Sequence, residues 1–226
     1  MIGFAHRGGS AHGPDNTIET FHGALERGAS GLETDAWLTA DGQVVLDHDG
    51  VKRVALLRRE PIAEVRRDEL PSHIPTLEDV YAACGTGFDL AVDVSSQAIA
   101  AAVADVARRA GAQDRLWLVA PHSKVLAGTD APHRIVTIYA KTVRGPRRGK
   151  VFGAIHEAGL DGVNTRWPWW TPRFVAEAHD LGLLAFGYDA QAETSIRRCV
   201  ELGLDAVFSD HVGRMVRVLG TAGDGD

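Results

Sequence analysis

The sequence predicts an α/β fold, a (β/α)8 TIM barrel with a small hairpin insertion after its second strand. A phrase of helix, glycine and short apolar strand recurs along the 226 residues, as in EAGLDGVNT and ELGLDAVFSD. The glycine of such a phrase can adopt the left-handed conformation that ends a helix. Eight strand–helix units in about 250 residues are typical of this barrel. The competing prediction is an open, doubly wound sheet, which also alternates strands and helices.

The predicted strands are short apolar runs bounded by turn signals. In chain order they are Ile2–His6, Leu32–Ala36, Asp89–Val94, Arg115–Val119, Arg134–Ile138, Asp161–Asn164, Leu183–Tyr188 and Ala206–Ser209.

Three of the helices between these strands carry start signals. Asn16 with Glu19 is predicted as a capping box, and so is Thr76 with Asp79, because each pairs a short polar side chain with an acidic residue three positions later. Thr171 is followed by a proline, which suits the first turn of a helix.

An insertion interrupts the alternation after the second strand. The run LTADGQVVLDHD predicts a hairpin that turns at Asp41–Gly42 and brings His48 back to the barrel mouth. The following residues, up to Ser72, are rich in arginine and glutamate and are predicted to form a solvated loop or a short helix. Residues 1–220 are therefore interpreted as one domain and residues 221–226 as a disordered tail.

Composition narrows the class of protein. With 45% hydrophobic and 24% charged residues the chain is typical of a soluble globular domain. A net charge of −6 argues against nucleic acid as a partner, although a small phosphate ester remains possible. The sequence predicts no stable membrane insertion and, since its N-terminus is too short and polar for a signal peptide, a cytoplasmic location. Cys84 and Cys199 are predicted to be buried free thiols, and the oligomeric state is not predicted.

Carboxylates gather where predicted strands end. Glu33 and Asp35 are two positions apart on one strand, so their side chains share a face. Asp93 ends the next barrel strand and would add a third carboxylate. Such groups repel one another unless a cation or an arginine neutralises them. Oxygen ligands suit calcium or magnesium better than zinc, so one divalent cation is predicted, with an arginine partner as the alternative.

Two histidines also end predicted strands beside these carboxylates. His6 and His48 are predicted to act as a base and an acid in cleavage of a phosphodiester, although isolated histidines are often structural. A cation would hold the phosphate oxygens. Arg7 could bind the same oxygens in a bidentate manner or form a surface ion pair. The adjacent pair Gly8-Gly9 lacks the Walker lysine and the dinucleotide-binding spacing, which excludes a nucleotide-binding loop.

The segment AHRGG…PDNTIETFHGALERGASGLETDAWLTADGQVVLDHD resembles the glycerophosphodiester phosphodiesterases, whose motifs run HRG, P-E-N-T, E-x-D, T-x-D-G and H-D. The phrase IPTLEDVY is similar to the helix start that follows the insertion in this family. The resemblance implies a TIM barrel, a divalent cation and hydrolysis of a small phosphodiester to glycerol 3-phosphate and an alcohol. It implies His6 and His48 as the acid–base pair, Glu33 and Asp35 as metal ligands, and Arg7 on the phosphate. It also implies that a glycerol hydroxyl of the substrate attacks first, giving a cyclic phosphate that water opens.

The chain departs from the family pattern at three places. Asp93-Val94-Ser95 stands where the family has E-x-K, so Asp93 would be the third metal ligand and a positive charge is missing. Lys141 or Arg166, which follow the fifth and sixth strands, is predicted to supply that charge to the substrate. The family's P-E-N-T is here PDNT, and its W-T-x-N is FGYD.

Two other functions compete with this prediction. The chain is similar through Asp93 to spider-venom phospholipases D, which favours a lysophospholipase D-like enzyme acting on lipids. Trp167, Trp169 and Trp170 could then form an apolar lip, or they could simply pack under their loop. The altered motifs also allow a catalytically weakened relative that binds a phosphorylated ligand without turnover.

Overall fold

The computed structural model describes residues 1–53, 59–143 and 148–223. Its strands are β1 (Ile2–Ala5), β2 (Gly31–Leu38), β3 (Val44–Leu46), β4 (Val51–Arg53), β5 (Arg59–Pro61), β6 (Asp89–Asp93), β7 (Leu116–Ala120), β8 (His133–Thr137), β9 (Gly162–Arg166), β10 (Leu184–Tyr188) and β11 (Ala206–Ser209). Its helices are α1 (Ile18–Glu26), α2 (Leu77–Cys84), α3 (Gln97–Ala110), α4 (Ser123–Leu126), α5 (Ala140–Val143), α6 (Arg148–Glu157), α7 (Pro172–His179), α8 (Glu193–Leu202) and α9 (Val212–Gly223).

Eight parallel strands close into a barrel. Going round it, β1 is followed by β2, β6, β7, β8, β9, β10 and β11, and β11 pairs with β1 again. The pairing of β1 with β2, through Phe4 opposite Gly31 and Ala5 opposite Leu32, closes the ring. The predicted TIM barrel is thus confirmed, and the open sheet is excluded. All eight predicted strands are present, with their ends shifted by one or two residues.

Aromatic side chains fill the barrel interior. Phe4 stacks on Phe208 with ring centroids 5.0 Å apart, and Trp117 lies 5.4 Å from Phe186. The Trp117 ring also stacks on His133 at 3.8 Å, near the amino ends of β7 and β8. Burial of these rings is the main favourable contribution to folding. A second, larger apolar layer lies between the strands and the surrounding helices. The barrel is therefore packed through its middle, and its polar cavity lies at the carboxyl ends of the strands.

The helix starts are partly as predicted. Thr76 and Asp79 form a reciprocal capping box, and the Thr171 hydroxyl accepts a hydrogen bond from the backbone N–H of Phe174. The prediction for Asn16 and Glu19 is wrong, because Thr17 caps α1 together with Thr20.

The segment after β2 has its own structure. Strand β3 runs antiparallel to the end of β2, with Leu38 opposite Val44. Strands β4 and β5 form a separate two-stranded sheet. The prediction of a solvated loop or a short helix up to Ser72 is right only in part. Two short 3₁₀ helices are present, Ile62–Glu64 and Arg67–Glu69, but Ile62 and Val65 are buried in a small apolar cluster with Val45 of β3. Residues 54–58 of this stretch lie outside the described residues.

Cys84 and Cys199 are free thiols, the former half-buried and the latter fully buried. Helix α9 extends to Gly223, so the first three residues of the predicted tail are helical, and residues 224–226 lie outside the described part. Over the ranges that the structure covers, none of the helices has both the length and the apolar character needed to cross a membrane.

Candidate active site

Three carboxylates meet at the carboxyl ends of β2 and β6. Glu33 and Asp35 occupy alternate positions on β2, and Asp93 lies opposite Asp35 in the register of the two strands. Each offers one oxygen atom to a set in which all atoms lie within 4.8 Å of one another. Strand pairing therefore places three acidic side chains round one point, where a cation could bind.

The hydrogen bonds of this cluster leave part of its charge unbalanced. The backbone N–H of Arg7 donates to Glu33 Oε2 at 2.9 Å. Asp35 Oδ2 is buried and accepts no hydrogen bond from the described residues. Arg7 Nε lies 3.8 Å from that oxygen and likewise lacks a hydrogen-bond partner. The sequence offered an arginine as the alternative to a cation for neutralising these carboxylates. In the structure this alternative is met only by a loose ion pair between Arg7 and Asp35.

Two of the carboxyl groups are shifted toward the neutral form. Desolvation, followed by repulsion from Glu33, raises the pKa of Asp35 to about 7. Desolvation, followed by the charges of Glu33 and Asp35, also raises the pKa of Asp93 well above its usual value. The Asp93 side chain is nevertheless exposed and lines the cavity described below, so a cation can reach it. The orphaned Asp35 oxygen and the all-oxygen donor set fit a hard divalent cation.

His6 is held between two acidic side chains. It begins a short turn after β1 in which Arg7 takes a left-handed conformation, with φ of 52°. His6 Nδ1 donates to Asp210 Oδ1 at 2.6 Å, and Nε2 lies 3.8 Å from Glu33 Oε2. Burial lowers the pKa of His6, but Glu33 and the hydrogen bond to Asp210 outweigh it and raise the pKa from 6.5 to about 9. The ring is therefore oriented by the residue that follows β11.

Asp210, which contacts His6, was not predicted from the sequence as a site residue. Its second oxygen, Oδ2, accepts from Gln191 Nε2 at 2.8 Å, and its backbone N–H donates to Gln191 Oε1 at 2.9 Å. Ala5 lies opposite Ser209 in the β1–β11 pairing, which brings Asp210 beside His6. The signal was available, because Asp210 directly follows a predicted strand, as the other candidate residues do.

His48 lies on an exposed loop after β3. Its Nδ1 is 3.0 Å from Asp49 Oδ1, and its side chain is 47% exposed. The loop is fastened by Trp37, whose Nε1 donates to the carbonyl of Asp47 at 2.7 Å. Gly50 ends the loop with φ of 67°, and a Cβ there would lie 2.5 Å from the Trp37 ring. The position of His48 thus depends on close contact between Trp37 and Gly50.

One cavity of about 380 Å³ collects most of these groups. Six of the eight predicted site residues line it: His6, Arg7, Glu33, Asp35, His48 and Asp93. The remaining lining residues were not predicted from the sequence and come from later strands: Thr137, Tyr139, Asn164, Tyr188 and Phe208. The cavity therefore combines two imidazoles, a guanidinium and three carboxylates, which can bind a phosphate through a cation and move protons to and from its ester oxygens.

Two predicted substrate-binding residues are placed elsewhere. Arg166 Nε donates to Asp189 Oδ2 at 2.7 Å, and Lys141 lies exposed on α5. Among the described residues that line the cavity, neither is present.

The three tryptophans after β9 do not form an exposed lip. Trp170 is 3% exposed and donates from Nε1 to the carbonyl of Phe186 at 2.8 Å. Trp167 and Trp169 are half-buried against the outer core. These contacts favour the interpretation that the tryptophans pack under their loop.

Comparison with known proteins places the chain in a family. Residues 6–214 match the model of the glycerophosphoryl diester phosphodiesterase family. A segment covering 35% of the chain is 38% identical over 96 residues to glycerophosphodiester phosphodiesterase 1 of Bos taurus. The match spans 29% of the length of that bovine relative.

Solved structures share the whole fold. The glycerophosphodiester phosphodiesterase of Thermotoga maritima superimposes with a TM-score of 0.82 at 20% identity, covering 96% of this chain and 98% of that one. An Oleispira antarctica phosphodiesterase in complex with its product sn-glycerol-3-phosphate gives a TM-score of 0.83 at 20% identity, with 97% of each chain covered. At these identities the likeness shows a common barrel.

Proposed function

The chain belongs to the glycerophosphoryl diester phosphodiesterase family, and from that membership we propose that it hydrolyses glycerophosphodiesters to glycerol 3-phosphate and an alcohol. The observation that carries the proposal is the single cavity into which His6, Arg7, His48 and the three carboxylates project. The product bound to the Oleispira antarctica relative, sn-glycerol-3-phosphate, supports the same substrate class.

We propose that Glu33, Asp35 and Asp93 hold one divalent cation, calcium or magnesium. Their oxygens lie within 4.8 Å of one another, and Asp35 Oδ2 lacks a hydrogen-bond partner among the described residues. When bound, such a cation neutralises the charge that develops on the phosphate oxygens. Arg7, whose guanidinium lies beside Asp35, adds a second positive charge on the phosphate side of the cavity.

The two histidines carry out the proton transfers. One accepts the proton of the attacking hydroxyl, and the other donates a proton to the oxygen of the departing alcohol. Asp210 keeps the His6 ring in one orientation and stabilises its charged form. His48 lines the same cavity from the loop that Trp37 fastens. The phosphate would thus lie within one cavity together with two proton-transfer groups, of which His48 is the more exposed.

The test is release of glycerol 3-phosphate from glycerophosphocholine by protein reconstituted with calcium or magnesium. We expect turnover that a chelator abolishes and that His6→Ala and His48→Ala each reduce by about 10²–10⁴-fold. His22→Ala is the matched control, because His22 lies on α1 and pairs with Glu26.

The other outcomes separate the competing functions. Turnover of a lysophospholipid in vesicles, with none of the soluble diester, would indicate a lysophospholipase D-like enzyme. Thermal stabilisation by glycerol 3-phosphate without any turnover would indicate a binding protein. The roles of Lys141 and Arg166 stay a prediction, which an unchanged KM in both Lys141→Ala and Arg166→Ala would contradict.

A further inference from the structure

A second cavity adjoins the one that holds the histidines. It has a volume of about 210 Å³ and lies over the carboxyl ends of β2, β6, β7 and β8. The two cavities share four lining residues, namely Asp35, Asp93, Thr137 and Tyr139. A phosphate bound through a cation at Asp35 and Asp93 would therefore lie on the boundary, with one cavity on either side of it.

A phosphodiester needs such an arrangement, because two alcohol arms diverge from its phosphorus. The larger cavity offers hydrogen-bonding groups of Asn164, Arg7 and His48, which suit the hydroxyls of the glycerol arm. The smaller cavity has a different lining, in which Val94, Ala120 and Pro121 present apolar surface. The second arm, the alcohol that departs, would occupy this smaller cavity.

Two aromatic rings line the smaller cavity. Trp37 is two positions beyond Asp35 on β2, so both side chains lie on the same face of the strand. Its ring is fixed by the hydrogen bond to Asp47 and by contact with Gly50. Tyr139 is 54% exposed at the rim. Rings of this kind attract a cationic nitrogen placed over their faces.

The charge of the lining is compatible with the same class of ligand. Of the described residues that line the smaller cavity, two are acidic and none is basic. Ser95, a short exposed side chain, lies where a longer basic residue would place its charge inside the cavity. Asp35 and Asp93 are the proposed cation ligands, and the other described residues of this lining carry no charge that would repel an ammonium group.

We propose that the smaller cavity is a subsite for the departing alcohol and that it selects an alcohol carrying an ammonium group, quaternary or primary. Trp37, Tyr139 and Ser95 are the residues that determine this specificity. The inference rests on the proposed function, since it assigns the second arm of the same substrate.

The experiment compares kcat/KM for glycerophosphocholine with kcat/KM for glycerophosphoglycerol, whose alcohol is neutral. We expect the wild-type protein to prefer the choline diester. Ser95→Lys should lower that preference about tenfold, because it places a positive charge in the subsite. Ser95→Met, which has a similar length without the charge, is the matched control and should keep the preference. Tyr139→Leu should lower the preference about two- to fivefold, whereas Tyr139→Phe, which retains the ring, should not.

Equal changes for both diesters in Ser95→Lys would overturn the inference and leave the proposed function intact, since a lysine that touched only the phosphate would affect both. Equal turnover of the two diesters by the wild-type protein would also overturn it. If neither diester is cleaved, the proposed function fails. Choline alone is then titrated into the wild-type protein and the two Ser95 variants, and binding is followed by NMR. Choline binding that is lost in Ser95→Lys but kept in Ser95→Met would then support the ammonium subsite, and absence of binding to the wild-type protein would overturn it.

Discussion

Asp35 is a residue whose charge is poorly compensated by its neighbours. Its folded pKa of about 7, raised by desolvation and by Glu33, lies above the usual value of an aspartate in an unfolded chain. The stability that this shift contributes is therefore present below the unfolded pKa and is lost as the pH rises through about 7. At pH 8 the ionised side chain weakens the metal-free fold, and a bound cation would remove that penalty.

We therefore expect Asp35→Asn at pH 8 to preserve or raise the melting temperature of the metal-free protein and to reduce the rise in melting temperature that a cation causes. Without metal, the variant should melt at the same temperature as the wild type or above it. A cation at about 100 times its Kd should raise the Tm of the wild type by about 5–10 °C, and most of this rise should vanish in the variant. Asp189→Asn, at the same end of the barrel but paired with Arg166, is the control. An equal rise in all three proteins would place the cation elsewhere.

Asp210 acts through His6 rather than on substrate. Because it accepts the Nδ1 hydrogen bond, Asp210→Asn should leave the His6 ring present but poorly oriented. We expect kcat to fall about 10–100-fold while the cation-induced rise in Tm is kept. Steady-state kinetics and thermal melts measure the two effects.

Asp205→Asn is the matched control, since Asp205 pairs with His179 at 2.9 Å, away from the cavity. Unchanged kcat in Asp210→Asn, or an equal loss in both variants, would show that the contact with His6 does not matter for turnover.

At the scale of elements, the loop that carries His48 is sensitive to a small change. Gly50→Ala would place a methyl group 2.5 Å from the Trp37 ring, so either the ring or the loop must move. We expect kcat to fall at least about tenfold, because displacement of a proton-transfer group removes much of its contribution. The measurement is glycerol 3-phosphate release at saturating substrate.

The hairpin turn supplies the control for this variant. Gly42 has φ of 77°, close to that of Gly50, but an added Cβ there meets no atom within 4 Å. Gly42→Ala should therefore cost about 1–2 kcal/mol of unfolding free energy for the left-handed conformation and leave kcat unchanged. If both variants lost activity equally, backbone strain and not the Trp37 contact would be the cause.

At the scale of the whole molecule, Cys199 reports on unfolding. It lies fully buried on α8, and burial raises the pKa of its thiol to about 12. At pH 8 only about one thiol in 10⁴ would be ionised, which makes the native side chain unreactive. We expect Cys199 in a Cys84→Ser variant to react with a thiol reagent only at the rate of global unfolding. In urea, the labelling rate should rise over the same range of concentration in which the circular dichroism signal is lost. Fast labelling in native buffer would reveal local opening of α8.

The barrel was predictable because its signals are local. Most strands follow a helix that ends at a glycine, as Gly111 ends α3 before β7 and Gly203 ends α8 before β11. Thr76 with Asp79 forms its capping box through neighbours in sequence. The family resemblance, carried by motifs between His6 and Asp49, is also confirmed.

The predictions that fail depend on distant contacts. Asn16 does not cap α1, because its side chain accepts a hydrogen bond from Thr34 on β2 and its backbone is left-handed. The stretch before Ser72 is solvated only in part, because the apolar surface of β3 buries Ile62 and Val65. Asp210 follows a predicted strand as the other candidates do, but its contact with His6 depends on the pairing of β11 with β1.

Because β11 must pair with β1 to close the barrel, the site can be completed only after the end of the chain has been synthesised. His6 and Asp210 are separated by 204 positions in the chain, and translation at ~5–20 residues per second leaves ~10–40 s between their syntheses. During that interval β1 and the turn after it have been synthesised, but their partner β11 has not. His6 therefore emerges from the ribosome without the residue that orients it. A nascent chain interrupted before the last strand would therefore carry the motif of a hydrolase and lack the means to use it.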